Sequence, residues 1–240
     1  TNTSVNQCLG TLINFNDGST YALSPISGWT WDFGDGNNST QQNTNHTYTT
    51  SGTFTVTLIS SANDGCKGSI TKILNIDPPP GVQFTVNSTA GCAFIASSFT
   101  DLSTTPANST YTWNFGDGGF SNSQNPSYSY SVAGVYPIQL VVVTPAGCSD
   151  SLTKNAYLTI NNTPVGSFSL STACIQTNIL FSNYVTIGSG SIVSWQWDFG
   201  DGTTSALQTP TNSYSVSGNY SVTLSATSDL GCVGTTSQVI

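Results

Sequence analysis

The residues in this 240-residue chain best suited to acid–base, metal or covalent chemistry are eleven aspartates, one histidine and six cysteines. Asp32 and Asp35 form a close carboxylate pair, the equipment of a glycosidase. Asn16 and Asp17 put two oxygen ligands together, short of the six to eight that Ca²⁺ prefers. His46 is the only imidazole that could serve a Ser or Cys nucleophile as base. The cysteines could ligate zinc or pair as disulfides, but no Cys-x-x-Cys spacing is present. The carboxylate pair belongs to a hexapeptide, Trp31-Asp32-Phe33-Gly34-Asp35-Gly36. It recurs as Trp113-Asn114-Phe115-Gly116-Asp117-Gly118 and as Trp197-Asp198-Phe199-Gly200-Asp201-Gly202. The second copy carries Asn114 in place of an acid, and the chain contains no Arg or Glu. Three copies of one active site without supporting groups make poor catalytic sense, so the chain is read as a non-enzyme.

The repeat decides the elements that must position these groups. Trp and Phe two residues apart point to one face of a strand, and Gly-Asp-Gly supplies the positive-φ positions of a tight turn. A tyrosine follows each copy at a fixed distance (Tyr48, Tyr130, Tyr214), then a glycine (Gly52, Gly134, Gly218). Alternating runs come next: Phe54-Val56-Leu58, Tyr136-Ile138-Leu140 and Tyr220-Val222-Leu224. Alternation at period two marks half-buried strands. The tyrosines suit a corner in which the ring packs inward and the hydroxyl bonds upstream backbone. Trp29 and Trp195 share the face of the motif tryptophans and read as core, while Tyr128 and Phe120 are uncommitted. No segment has helical periodicity.

The motif with Gln124-Asn125-Pro126 and Tyr130, and His46-Thr47-Tyr48 in the first repeat, resembles the PKD (polycystic kidney disease) domain. The resemblance covers essentially the whole chain. It implies an all-β architecture of three tandem immunoglobulin-like sandwiches in an elongated rod, used outside the cell for adhesion or as spacers. The repeats are expected at residues 1–77 (first strand incomplete), 78–161 and 162–240 (last strand incomplete). Tyr128 and Asn212 replace the family's histidine in the second and third repeats, which argues against a ligand role for His46. Some PKD-like modules bind Ca²⁺ through an acidic loop, for which Asn16 and Asp17 are weak candidates here; no other cofactor or metal is expected.

A net charge of −8, with only Lys67, Lys72 and Lys154 as cations, excludes nucleic acid as a partner and disfavours anionic membranes. No apolar run is long enough to span a bilayer. A surface of Asn, Ser, Thr and Gly suits a secreted, cell-surface polypeptide.

Cysteine rhythm suggests disulfides in an oxidising compartment. One of each pair precedes the second strand (Cys8, Cys92, Cys174); the other follows Gly after the penultimate strand (Cys66, Cys148, Cys232). Between these positions the chain makes five traverses, which puts the two cysteines at opposite ends of a sandwich, about 25 Å apart. A disulfide needs Cα atoms within about 7 Å. Pairing across junctions is therefore preferred: Cys8–Cys148 and Cys92–Cys232, with Cys66 and Cys174 turned to neighbouring repeats. Bonds within repeats (Cys8–Cys66, Cys92–Cys148, Cys174–Cys232) remain the alternative if the strand count is off by one. Cys66–Cys92 with Cys148–Cys174 joins the most distant ends and is excluded.

The expected function is a non-catalytic, rigid stalk segment of a bacterial adhesin or surface filament. Its partners are neighbouring repeats, copies of itself, and a host or surface polymer held by parts outside this chain. The alternative is an accessory module of a secreted hydrolase that binds a carbohydrate or protein polymer.

Overall fold

The structure is a computed structural model and describes residues 5–171 and 175–240. Every regular element in it is a strand. The first repeat holds β1 (Val5–Cys8), β2 (Ile13–Phe15), β3 (Ile26–Asp32), β4 (Asn38–Ser39), β5 (Thr44–His46), β6 (Gly52–Ala62) and β7 (Lys67–Asp77). The second holds β8 (Phe84–Val86), β9 (Ala90–Cys92), β10 (Ala96–Asp101), β11 (Thr110–Asn114), β12 (Phe120–Ser121), β13 (Ser127–Ser129), β14 (Gly134–Val143) and β15 (Ser149–Asn161). The third holds β16 (Phe168–Leu170), β17 (Ile179–Asn183), β18 (Ile192–Asp198), β19 (Thr204–Ser205), β20 (Thr211–Asn212), β21 (Ser221–Ser228) and β22 (Val233–Val239).

The second repeat shows the complete plan. A five-stranded sheet in the order β12-β11-β14-β15-β9 faces a three-stranded sheet, β13-β10-β8. One core cluster draws on both, with Trp113, Ile138, Leu140 and Leu158 from the large sheet, Phe115 just beyond β11, and Phe84 and Phe99 from the small one. Short strand β9 runs parallel to β15, pairing Cys92 with Asn161. The first repeat repeats this arrangement: β1 runs parallel to β7 and pairs Cys8 with Asp77. The third pairs β19-β18-β21-β22 in one sheet and β16-β17-β20 in the other.

Alternation explains the cores. Val56 and Leu58, Ile138 and Leu140, and Val222 and Leu224 are all buried, as are the motif Trp and Phe of each repeat. Trp113 and Trp197 are wholly enclosed, and Trp31 is nearly so. Each motif glycine after Phe adopts positive φ. At Gly34 (φ 78°) a Cβ would also come within 2.7 Å of the Thr55 carbonyl, so two independent constraints demand glycine. Among the described residues no helix is long and apolar enough to cross a membrane.

Candidate functional site

Each hexapeptide turn is held by three hydrogen bonds of fixed pattern. The first acidic position accepts the N–H of the glycine two residues on: Asp32 from Gly34, Asn114 from Gly116, Asp198 from Gly200. Only one side-chain oxygen is used, which is why Asn114 serves as well as an aspartate. The second acid accepts the N–H two residues on: Asp35 from Asn37, Asp117 from Gly119, Asp201 from Thr203. The corner tyrosine closes the set by donating to the motif Phe carbonyl: Tyr48 to Phe33 at 2.9 Å, Tyr130 to Phe115 at 3.0 Å, Tyr214 to Phe199 at 2.9 Å. Each motif indole also donates to a carbonyl ten residues on, Gln41, Ser123 and Leu207. These carboxylates are spent on structure, so they do not make a free acid–base pair.

A further tie was not read from the sequence. The second acid of each turn meets a side chain eleven residues later: His46 Nε2 lies 2.7 Å from Asp35, Tyr128 donates to Asp117, and Asn212 donates to Asp201. His46 stacks on Phe33 with centroids 4.3 Å apart, and Tyr128 stacks on Phe115 at 4.0 Å. Three residue types thus perform one task. The signal in the sequence was the constant spacing combined with a donor in every copy. Burial pushes the Asp35 and Asp201 carboxyls up, but their hydrogen bonds outweigh it and leave both below the usual value. Burial, with the charges of Asp35 and Asp32 adding to it, pushes the Tyr48 hydroxyl up to about 12.

Of the two calcium candidates, Asn16 is exposed and Asp17 is already engaged. Asp17 accepts the Trp29 indole N–H at 2.7 Å, the Gln42 amide and the Ser19 N–H. No cluster of three or more His, Cys, Asp or Glu able to hold a metal occurs among the described residues. Trp29 and Trp195 are half-buried against their cores, and Tyr128 is likewise committed. Phe120 is exposed and stands outside any aromatic cluster among the described residues.

The cysteines lie at the junctions. Cys8 is joined to Cys148 and Cys92 to Cys232, with Cα atoms 5.4 and 5.6 Å apart. Strand register supplies the reason. Cys8 pairs with the last residue of the 11-residue β7, whereas Cys66 immediately precedes its first. That separates them by about 35 Å. Across a junction, by contrast, the β1 end of one repeat meets the β14–β15 turn of the next. Cys148 and Cys232 are buried, and the cleft beside the first staple is lined by Pro78, Pro79, Pro80, Thr144 and Pro145. At the second junction Thr163 donates to the Ala93 carbonyl. Cys66 is a free, exposed thiol; Cys174, expected like it to face a neighbouring repeat, lies outside the described residues.

The fold and this junction chemistry define a series of immunoglobulin-like sandwiches fastened to one another covalently. The PKD domain profile matches residues 2–78, 75–160 and 161–240, and the chain belongs to the PKD domain family. It is 42% identical over 82 residues to the pre-pro-metalloprotease PrtV of Vibrio cholerae, covering 34% of this chain and 9% of that protein. It is 47% identical over 51 residues to a microbial collagenase of Vibrio alginolyticus, covering 21% of this chain and 6% of the other. The solved PKD1 domain of the Vibrio cholerae metalloprotease PrtV is 41% identical over 32% of this chain and 94% of its own, with a TM-score of 0.31. The chain therefore matches only small parts of those two proteases.

Proposed function

We propose that this chain is a non-catalytic, load-bearing segment of an extracellular stalk, as in a bacterial surface adhesin or filament. The observation that carries the reading is the pair of staples, each linking one repeat to the next. Such bonds join neighbouring sandwiches rather than the two sheets of one; they fix the relation between neighbours and reroute tension. The shortest covalent path runs from Thr1 to Cys8, across to Cys148, back to Cys92, across to Cys232 and on to Ile240. It contains only about 70 residues, so full extension reaches about 260 Å, against about 840 Å for the reduced chain. Both linkers and strands β7 and β15 lie off that path, so the shorter route limits how far they can be stretched. On this reading Cys66 and Cys174 continue the scheme to repeats on either side. Partners are the adjoining repeats, further copies of the chain in a filament, and a surface polymer gripped elsewhere.

Force spectroscopy on the chain pulled by its ends tests this. The oxidised form should stop near one third of the reduced contour length. Equal contour lengths with and without reductant would remove the mechanical basis of the proposal.

A second reading has its own support. Identity to segments of PrtV and of a collagenase favours an accessory, non-catalytic module of a secreted protease that holds a polymeric substrate. Retention of the chain on insoluble collagen or chitin, abolished by no disulfide reduction, would favour this alternative.

A further inference from the structure

The turns that follow Cys8 and Cys92 share one geometry and hold different residues. After Cys8 the Thr11 N–H bonds the Cys8 carbonyl, and Gly10 sits between them at φ 81°, where a turn of this kind calls for glycine. After Cys92 the Ile95 N–H bonds the Cys92 carbonyl, and the residue at φ 68° is Phe94. A bulky side chain strains the backbone there. Phe94 gains no burial in return, since it is 70% exposed.

Phe94 is not alone. Its N–H donates to the Tyr130 carbonyl, which sets the turn beside the Tyr130–Val132 segment. The staple from Cys92 to Cys232 brings Leu230 to the same junction. Ile95, Val132 and Leu230 are 60%, 65% and 60% exposed. At the first junction the corresponding residues are Thr11, Thr50 and Ala146, with Gly10 in place of Phe94. Charge is lost in step: Asp77 pairs with Cys8, whereas Asn161 pairs with Cys92. Residues 84–100 and 118–149 contain no charged side chain at all. Asp229, next to Leu230, accepts the Ser191 hydroxyl at 3.1 Å within its own repeat. Every change makes the second junction more apolar than the first, and one of them is held on a strained backbone. Exposed apolar side chains grouped in this way mark an interaction site, whereas single ones need no explanation.

We infer that the second junction carries a lateral docking surface for a second copy of this chain, Phe94, Ile95, Val132 and Leu230 packing on the same four residues of that copy across a two-fold axis. Charge and position identify the occupant. A net charge of −8 makes two copies repel, and a surface stretch without charge is where their approach costs least. The surface continues the interface between the second and third repeats, and the staple fixes its two halves against each other, so docking has little left to order. It presents no charged group and no aromatic row to a polar polymer. Contact at an internal junction also leaves both ends of the rod free to continue. The inference deepens the filament reading and rests on it. Four side chains cover less than the roughly 800 Å² per partner of a stable dimer, so pairing is weak in the isolated chain and is multiplied along a filament.

Sedimentation equilibrium of the full chain carrying C66S and C174S, which removes covalent dimers, tests this at concentrations up to about 1 mM. A reversible monomer–dimer equilibrium is expected. F94G installs the glycine of the first repeat; it should weaken pairing at least tenfold without lowering the melting temperature, because it relieves the turn. V132T and L230A, also residues of the first junction, should each weaken it about threefold or more. F120N removes an equally exposed aromatic elsewhere in the second repeat and should change nothing. A chain that stays monomeric throughout, a dimer indifferent to F94G, or one as sensitive to F120N as to F94G would overturn the inference. So would retention on an insoluble polymer that F94G abolishes while the chain remains monomeric, which would give the surface to the polymer. The shortened contour of the oxidised chain is read on single molecules and is independent of Phe94. A monomeric chain that keeps that contour therefore removes the docking surface and leaves the stalk reading standing.

Discussion

His46 Nε2 lies 2.7 Å from the Asp35 carboxylate, in the place where Tyr128 reaches Asp117 and Asn212 reaches Asp201. The requirement at this position is a donor that reaches the turn aspartate. H46N should therefore leave the first repeat within about 0.5 kcal/mol of its stability, and H46A should cost about 1–2 kcal/mol. Denaturant unfolding of both variants checks this. A destabilisation of H46N as large as that of H46A would mean that the imidazole has a role of its own.

The same aspartates predict how the protein responds to acid. Asp17, Asp35 and Asp201 have carboxyls held below the usual range in the folded state: burial raises each, and their hydrogen bonds lower each by more. A carboxyl depressed by folding contributes stability that is complete above its unfolded pKa and is lost as pH falls through the folded value. Thermal stability should thus hold through neutral pH and decline below about pH 4. D35N should flatten the first repeat's part of that decline. An unchanged acid profile in D35N would show that Asp35 contributes nothing to it.

At the alkaline end the corner tyrosines act with the opposite sign. Burial first, then the charges of nearby Asp35 and Asp32, raise Tyr48 to about 12, and burial raises Tyr130 and Tyr214 as well. The neutral phenol is the form the fold accepts. Its contribution is complete below the unfolded value near 10 and is lost as pH climbs through the folded one. Unfolding monitored between pH 9 and 12 should show this loss. Y130F should lack its share of it while costing about 1–2 kcal/mol at neutral pH through the unpaired Phe115 carbonyl.

Much of this was legible in the sequence because the repeat supplied internal controls. Trp31, Trp113 and Trp197 with their alternating neighbours gave the sheets, and traverse counting led from the cysteine positions to pairing across junctions. The ties between Asp35 and His46 or Asp17 and Trp29 were less legible. They join a carboxylate in a loop to a side chain on a strand elsewhere in the repeat, and nothing in local periodicity says which donor folds onto which carboxylate. Extra residues in β15 were hidden for a similar reason. Between Tyr136 and Ile138 the register shifts, Ala156 takes positive φ, and Tyr157 swings over Phe84. A bulge of that kind depends on what lies across the sheet rather than on the strand's own residues.

The third repeat contains an imbalance that yields the last prediction. Trp195 corresponds to Trp29, and its indole N–H is buried without a hydrogen-bond partner among the described residues. Trp29 has the Asp17 carboxylate; the matching position in the third repeat, two residues after Phe181 as Asp17 is after Phe15, holds Asn183. The Asn183 carbonyl oxygen accepts the Val185 N–H at 2.7 Å, and its other terminal atom is an amide that donates rather than accepts. N183D replaces that amide with an acceptor and keeps the oxygen used by Val185. The third repeat should gain about 1 kcal/mol, because a buried donor left unpaired costs more than an average hydrogen bond contributes. Thermal unfolding of N183D, followed by Trp195 fluorescence in a W195F-controlled comparison, reads the effect. A melting temperature that stays level or falls, with W195F masking no difference, would show that the indole is satisfied by some other route.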